Sequence, residues 1–128
     1  MSKAKQKVKV KVNPGRQGDV GFFNAKEADL KDATPIDMKG KKEFVFAFGE
    51  TTGHKHQIRV EGEEDITSFV DFFKVNNRPN DVLFRAKQDV TVVHEEHGPI
   101  PLKKGQVYRS RIQRQYDVAA RQEMRVAD

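Results

Sequence analysis

The sequence contains no cysteine and no tryptophan. Without thiols there is neither a disulfide framework nor a thiolate metal site, so any bound metal must take nitrogen and oxygen donors. No stretch approaches the roughly 18 apolar residues of a membrane-spanning helix. The start, Met1-Ser2-Lys3-Ala4-Lys5, runs into no apolar segment of the signal-peptide kind. A cytoplasmic location without membrane attachment is therefore the expectation. Serine is scarce: Ser2, Ser68 and Ser110 sit in no nucleophile-elbow context, which argues against an activated-serine hydrolase. Phosphate loops are missing too, because the glycines of Asn13-Pro14-Gly15-Arg16-Gln17-Gly18 match no phosphate-binding spacing.

What is present suits one modest core. The chain has 128 residues, a length for a single domain. Apolar residues make up 36%, below the usual share, and charged residues 34%, above it. Valine and nine phenylalanines lead the apolar set, a lean towards β structure. Net charge is +5, concentrated at Lys3, Lys5, Lys7, Lys9 and Lys11 and again at Arg109, Arg111, Arg114, Arg121 and Arg125. Such an excess permits a polyanion or nucleic acid as partner, through the basic tail and the arginine strand. Ordinary solubility accounts for it equally well.

Along the chain, residues 1–6 read as a disordered basic tail, 7–116 as a single β domain, and 117–128 as a C-terminal tail or short helix. Lys7 to Val12 alternates strictly and predicts a strand that Asn13-Pro14-Gly15 ends. Residues 16–41 read as an irregular connection, with a helical turn or two between Ala25 and Leu30 and a short strand near Ile36-Met38. Phe44–Phe48 and His54–Val60 predict two strands on either side of the turn or bulge of Gly49–Gly53, as a β-hairpin or as two adjacent strands. Asp65–Phe73 suits a strand or a short helix, with Phe69, Phe72 and Phe73 packing the core. Val82–Ala86, Val90–Val93 and Val107–Gln115 predict further strands. Pro99 and Pro101 flank an extended segment, and Lys103-Lys104-Gly105 is a turn. Seven or eight short strands without a βαβ rhythm imply a mostly β fold, a small antiparallel β-barrel or sandwich.

All four histidines come in tight pairs, His54-Lys55-His56 and His94-Glu95-Glu96-His97. Strand residues two apart share a face, so His54 and His56 project together, on the face that Ile58 and Val60 continue into the core. Val90, Val92 and His94 share a face in the same way, and a bend at Glu95-Glu96 would swing His97 to that side. Imidazoles facing a core are costly unless their nitrogens are satisfied, and one metal ion satisfies several at once. The expected site is a divalent transition metal (zinc, iron, manganese or nickel) on His54, His56, His94 and His97. Glu61 is the leading acid, reaching the site if a bulge flips its register. Glu50, Glu95 and Glu96 are alternatives as ligands or as groups that orient the imidazoles. Arg109 and Arg111 share a strand face and, with Arg114 and Tyr116, form a candidate anion-binding surface.

The run Gly53-His54-Lys55-His56-Gln57-Ile58-Arg59-Val60-Glu61 resembles the first motif of the cupin superfamily. The resemblance implies His54, His56 and Glu61 as metal ligands joined by His94 or His97. It also hints at a homodimer formed through edge strands. Cupins place a proline and glycine before the later histidine, whereas Pro99 and Gly105 follow His97 here. The chain also resembles a group of small bacterial and phage-encoded proteins with no assigned function, in Gly53–His56, His94–His97, Pro99–Tyr108 and Arg111–Tyr116. Three functions stay open: a small intracellular β-barrel protein whose metal is structural or organises a binding surface, a cupin-like metalloenzyme on a small substrate, and a phage or nucleic-acid-associated accessory protein. A four-histidine shell would be closed, and a three-ligand shell would leave room for water or substrate.

Overall fold

The structure, a computed structural model, describes residues 13–48 and 54–113. The expected tail and strand of residues 1–12, the turn at 49–53 with Glu50, and Arg114, Tyr116 and residues 117–128 lie outside them. Ten strands are described: β1 (Gly15–Gln17), β2 (Val20–Ala25), β3 (Ala33–Pro35), β4 (Glu43–Phe48), β5 (Lys55–Arg59), β6 (Val70–Val75), β7 (Asp81–Ala86), β8 (Val90–Val92), β9 (Ile100–Leu102) and β10 (Val107–Ile112). Short 3-10 helices span Glu27–Asp32 and Ile66–Ser68. Among the described residues, no helix is long and apolar enough to cross a membrane.

Six strands form one antiparallel sheet in the order β1-β2-β10-β7-β6-β3. β4 pairs with β5 and β8 with β9, and an isolated bridge between Gln57 and Val93 ties these two hairpins together. The sheets do not close into a barrel, and β1 and β3 stand at the two ends of the large sheet. Of the two architectures the sequence allows, the chain takes the open, layered one.

Aromatic packing joins the layers. Phe44 stacks on Phe72 of β6 with ring centroids 4.0 Å apart. Phe46 meets Phe22 of β2 edge-on at 5.3 Å and Phe84 of β7 at 5.1 Å. A bulge makes this contact. Val45 pairs with Gln57 and Ala47 with His56, so Phe46 is the extra residue of β4. Phe46 and Ala47 are consequently both buried. Each such ring contributes about 1.5–3 kcal/mol by leaving water, an upper estimate against an extended chain.

The segment 16–41 departs most from expectation. It supplies β1, β2 and β3, and Val20 and Phe22 of β2 are fully buried. Gly21 interrupts the apolar pattern for a packing reason, since a Cβ there would lie 2.8 Å from the Phe23 ring. The helical turn falls at Glu27–Asp32, and the short strand at Ala33–Pro35 precedes Ile36. Gly15 begins a strand instead of ending one. Asp65–Phe73 divides into a 3-10 turn, capped by the Asp65 side chain on the Thr67 N–H, followed by β6. Phe72 packs in the core, whereas Phe73 is half-buried on the other face under the Arg85 guanidinium.

Candidate metal centre

The fold lays the two histidine pairs side by side. One edge of β5 pairs with β4. The other meets the chain just past β8, where the Gln57 N–H donates to the Val93 carbonyl at 3.1 Å and the Val93 N–H returns a bond to Gln57 at 2.8 Å. This register sets His56 opposite His94 and His54 opposite Glu96, and opposed residues of an antiparallel pair share a face. The His56 and His94 ring centroids are 4.2 Å apart, and His54 Nδ1 lies 3.5 Å from Glu96 Oε2. The His54 ring stands 5.7 Å from that of His94. Beyond His94 the chain bends, bringing the His97 ring to 4.7 Å from His94 and 6.1 Å from His56.

His54, His94 and Glu95 each offer one ligand atom, and the three atoms lie within 4.8 Å of one another. Glu95 is held there by the Lys55 backbone N–H, which donates to its Oε1 at 3.0 Å. The same bond is the main reason its carboxyl sits below the usual range. His94 is also shifted down. Burial is the largest cause, the nearby His97 adds to it, and together they outweigh the pull of the Glu95 carboxylate. An ionised carboxylate and a neutral imidazole are the forms that bind metal.

Two ring nitrogens, His54 Nδ1 and His94 Nε2, are buried without a hydrogen bond to the described residues. Buried polar atoms are normally paired. The Glu96 N–H donates to His94 Nδ1 at 3.0 Å, which puts the proton of the neutral ring on Nε2. A metal at Nε2 would displace that proton. The remaining ring proton would then sit on Nδ1, and the Glu96 N–H would have to turn away.

Glu61 does not join the group. It is exposed and follows Val60, whose N–H donates to Lys42 near the far end of the hairpin. The extended stretch from His54 to Glu61 spans roughly 20 Å. Reaching the histidines would take a bulge in β5, but the bulge falls in β4. β5 itself carries no bulge, and His56, Ile58 and Val60 are buried on one face while Gln57 is buried on the other, at the bridge to Val93. Among the described residues, the carboxylates beside the rings are those of Glu95 and Glu96.

A further residue, Gln17, belongs to this site and is fully buried at the end of β1. It bonds to His56 and to the backbone on both sides of the 94–97 bend. Nothing local in Arg16-Gln17-Gly18 marks it as buried. The one cue is the Gly18-Asp19 turn, where Gly18 has φ +55° and makes the tight reversal between β1 and β2. A Cβ on Gly18 would lie 2.9 Å from His97 Nε2, so this hairpin tip rests against the histidine cluster.

Two arginines of that surface, Arg109 and Arg111, meet a carboxylate of the chain itself. Arg111 pairs with Asp81 across β10 and β7. Its Nε donates to Asp81 Oδ1 at 3.0 Å and its Nη2 to Oδ2 at 2.8 Å, while Arg109 Nη1 donates to Oδ2 at 2.8 Å. Burial raises the Asp81 carboxyl, but the bonds from Arg111 and Arg109 outweigh it and the net direction is down. Arg109 and Arg111 do hold a carboxylate, then, and it is the chain's own.

A family model described as a domain of unknown function, DUF8820, matches residues 16–113, and the chain belongs to that family. Searches of curated proteins and of solved structures found no match.

Proposed function

We propose that this member of the family binds one divalent transition-metal ion between β5 and the 94–97 bend, with His54, His94 and Glu95 as its core donors. One observation carries the reading: three ligand atoms within 4.8 Å of one another, next to two buried ring nitrogens without a hydrogen bond among the described residues. Two imidazoles and a carboxylate suit zinc, iron, manganese or nickel. Three protein donors leave further positions for water or another ligand. The donors come from two separate hairpins, so the ion would cross-link them and order the surface they share.

The test is elemental analysis and calorimetric titration with Zn2+ and Mn2+ on protein purified without an affinity tag. One ion per chain, together with X-ray absorption showing mixed nitrogen and oxygen ligation, is expected. Absence of both retained metal and measurable affinity would overturn the reading.

A second reading has an observation of its own. The Glu96 N–H bond to His94 and the 3.5 Å approach of Glu96 to His54 suit a hydrogen-bonded histidine cluster that braces the bend without metal. Under it, added Zn2+ would leave thermal stability unchanged. Under the first, stability would rise with free metal concentration, as for any ligand of the folded state.

A further inference from the structure

Gln17 connects groups that the backbone leaves apart. Its Nε2 donates to the Val92 carbonyl at 3.1 Å and to the Gly98 carbonyl at 2.9 Å. Both amide hydrogens are thereby used, one on each side of the bend that carries His94 and His97. A flipped amide would press Oε1 against two carbonyl oxygens, so the orientation is determined by its partners. Oε1 is left to face His56 Nδ1 at 3.1 Å, and an amide oxygen there can only accept. A neutral His56 therefore carries its proton on Nδ1 and its basic lone pair on Nε2.

This is the arrangement in which a ligating histidine is oriented by a partner on its second nitrogen. We propose that Gln17 is the positioning residue of the metal site: it sets His56 to bind through Nε2, as a fourth protein donor, and pins the bend at the spacing the other donors need. The inference rests on the metal reading above. It also gives β1 a role beyond edge pairing, because this three-residue strand delivers a buried amide to a site built from other strands.

The test uses the full chain, with 15N NMR of the histidine rings at neutral pH and Zn2+ titration. In metal-free wild type, His56 is expected as the Nδ1–H tautomer, and Zn2+ should produce a coordination shift at His56 Nε2. Gln17→Met keeps side-chain length without hydrogen bonds. It should lose the tautomer preference and weaken Zn2+ binding by roughly 10–100-fold, the usual cost of removing an orienting partner. Gln17→Glu still accepts from Nδ1–H but cannot donate twice. It should keep the tautomer and bind Zn2+ more weakly than wild type. Should neither variant fold, the wild-type spectra decide. An Nε2–H tautomer, or no coordination shift at His56 while Zn2+ binds, overturns the role of Gln17 and leaves the metal reading standing. Wild-type affinity and tautomer in Gln17→Met do the same. Wild type that binds no Zn2+ at all overturns both.

Discussion

Around Asp81 both carboxylate oxygens have donors, three hydrogen bonds from two arginines on the neighbouring strand. Around His54 and His94, two buried ring nitrogens have no hydrogen bond from the described residues. Both clusters are polar, both sit on strand faces, and both draw on residues distant in sequence. The difference lies in closure. A buried carboxylate whose charge and lone pairs are met internally does structural work and has nothing to offer a ligand. An imidazole group left short of partners retains the capacity to bind. Residue type alone would rank the arginines and histidines alike as sites, and the hydrogen-bond accounting separates them.

The contrast can be broken most decisively at His94. His94→Ala should lower Zn2+ affinity by more than about 100-fold, or ~2.7 kcal/mol, beyond the loss of an orienting partner. The metal-free fold should stay intact by circular dichroism. Unchanged affinity in calorimetry would remove the histidine cluster from consideration.

At Asp81 the order of effects is reversed. Asp81→Asn should destabilise the domain by about 2 kcal/mol in urea unfolding, below the ~3–5 kcal/mol of a fully buried pair because both arginines reach solvent. Zn2+ affinity should not change. A stability loss under half of that would mean the pair is a surface ornament despite its burial.

A smaller effect separates the clusters by pH. The folded-state value of Asp81 lies below its ordinary one. Its contribution is therefore complete above the unfolded value of about 4 and is lost as pH falls from there through the lower folded value. Wild-type stability should drop across that acidic window more steeply than that of Asp81→Asn. Parallel curves would assign acid sensitivity to other carboxylates.

The smallest effect belongs to Glu61. Glu61→Gln should leave Zn2+ affinity within about 2-fold, since the extended chain carries it roughly 20 Å from His54. A large loss would instead revive the cupin-type ligand set.

Much of the fold was legible locally. The apolar run Phe44–Phe48 and the segment His54–Val60 implied two strands, as a hairpin or as neighbours, and they form the paired β4 and β5. Val82–Ala86, Val90–Val93 and Val107 onwards likewise imply β7, β8 and β10. Residues 16–41 were opaque because their strands are short and broken by glycine, and because what stabilises β2 is its pairing with β10, about 90 residues later. At the site, the two histidine pairs were legible as segments to bring together, and their rings do lie side by side. Glu61 misled because motif spacing carries no register. Gln17 was invisible because its partners, His56, Val92 and Gly98, are all distant in the chain.

By itself the sequence determined which atoms are available: nitrogen and oxygen donors with no thiol, two histidine pairs, and strands whose period of two commits each side chain to a face. Tertiary structure decided which of those atoms meet. One bridge, Gln57 to Val93, sets the register between two hairpins, and from it follow His56 beside His94, Glu95 in place of Glu61, and Gln17 beneath them. The physical reason is that a strand fixes direction locally, whereas proximity depends on hydrogen-bonded pairing between segments that no local pattern specifies.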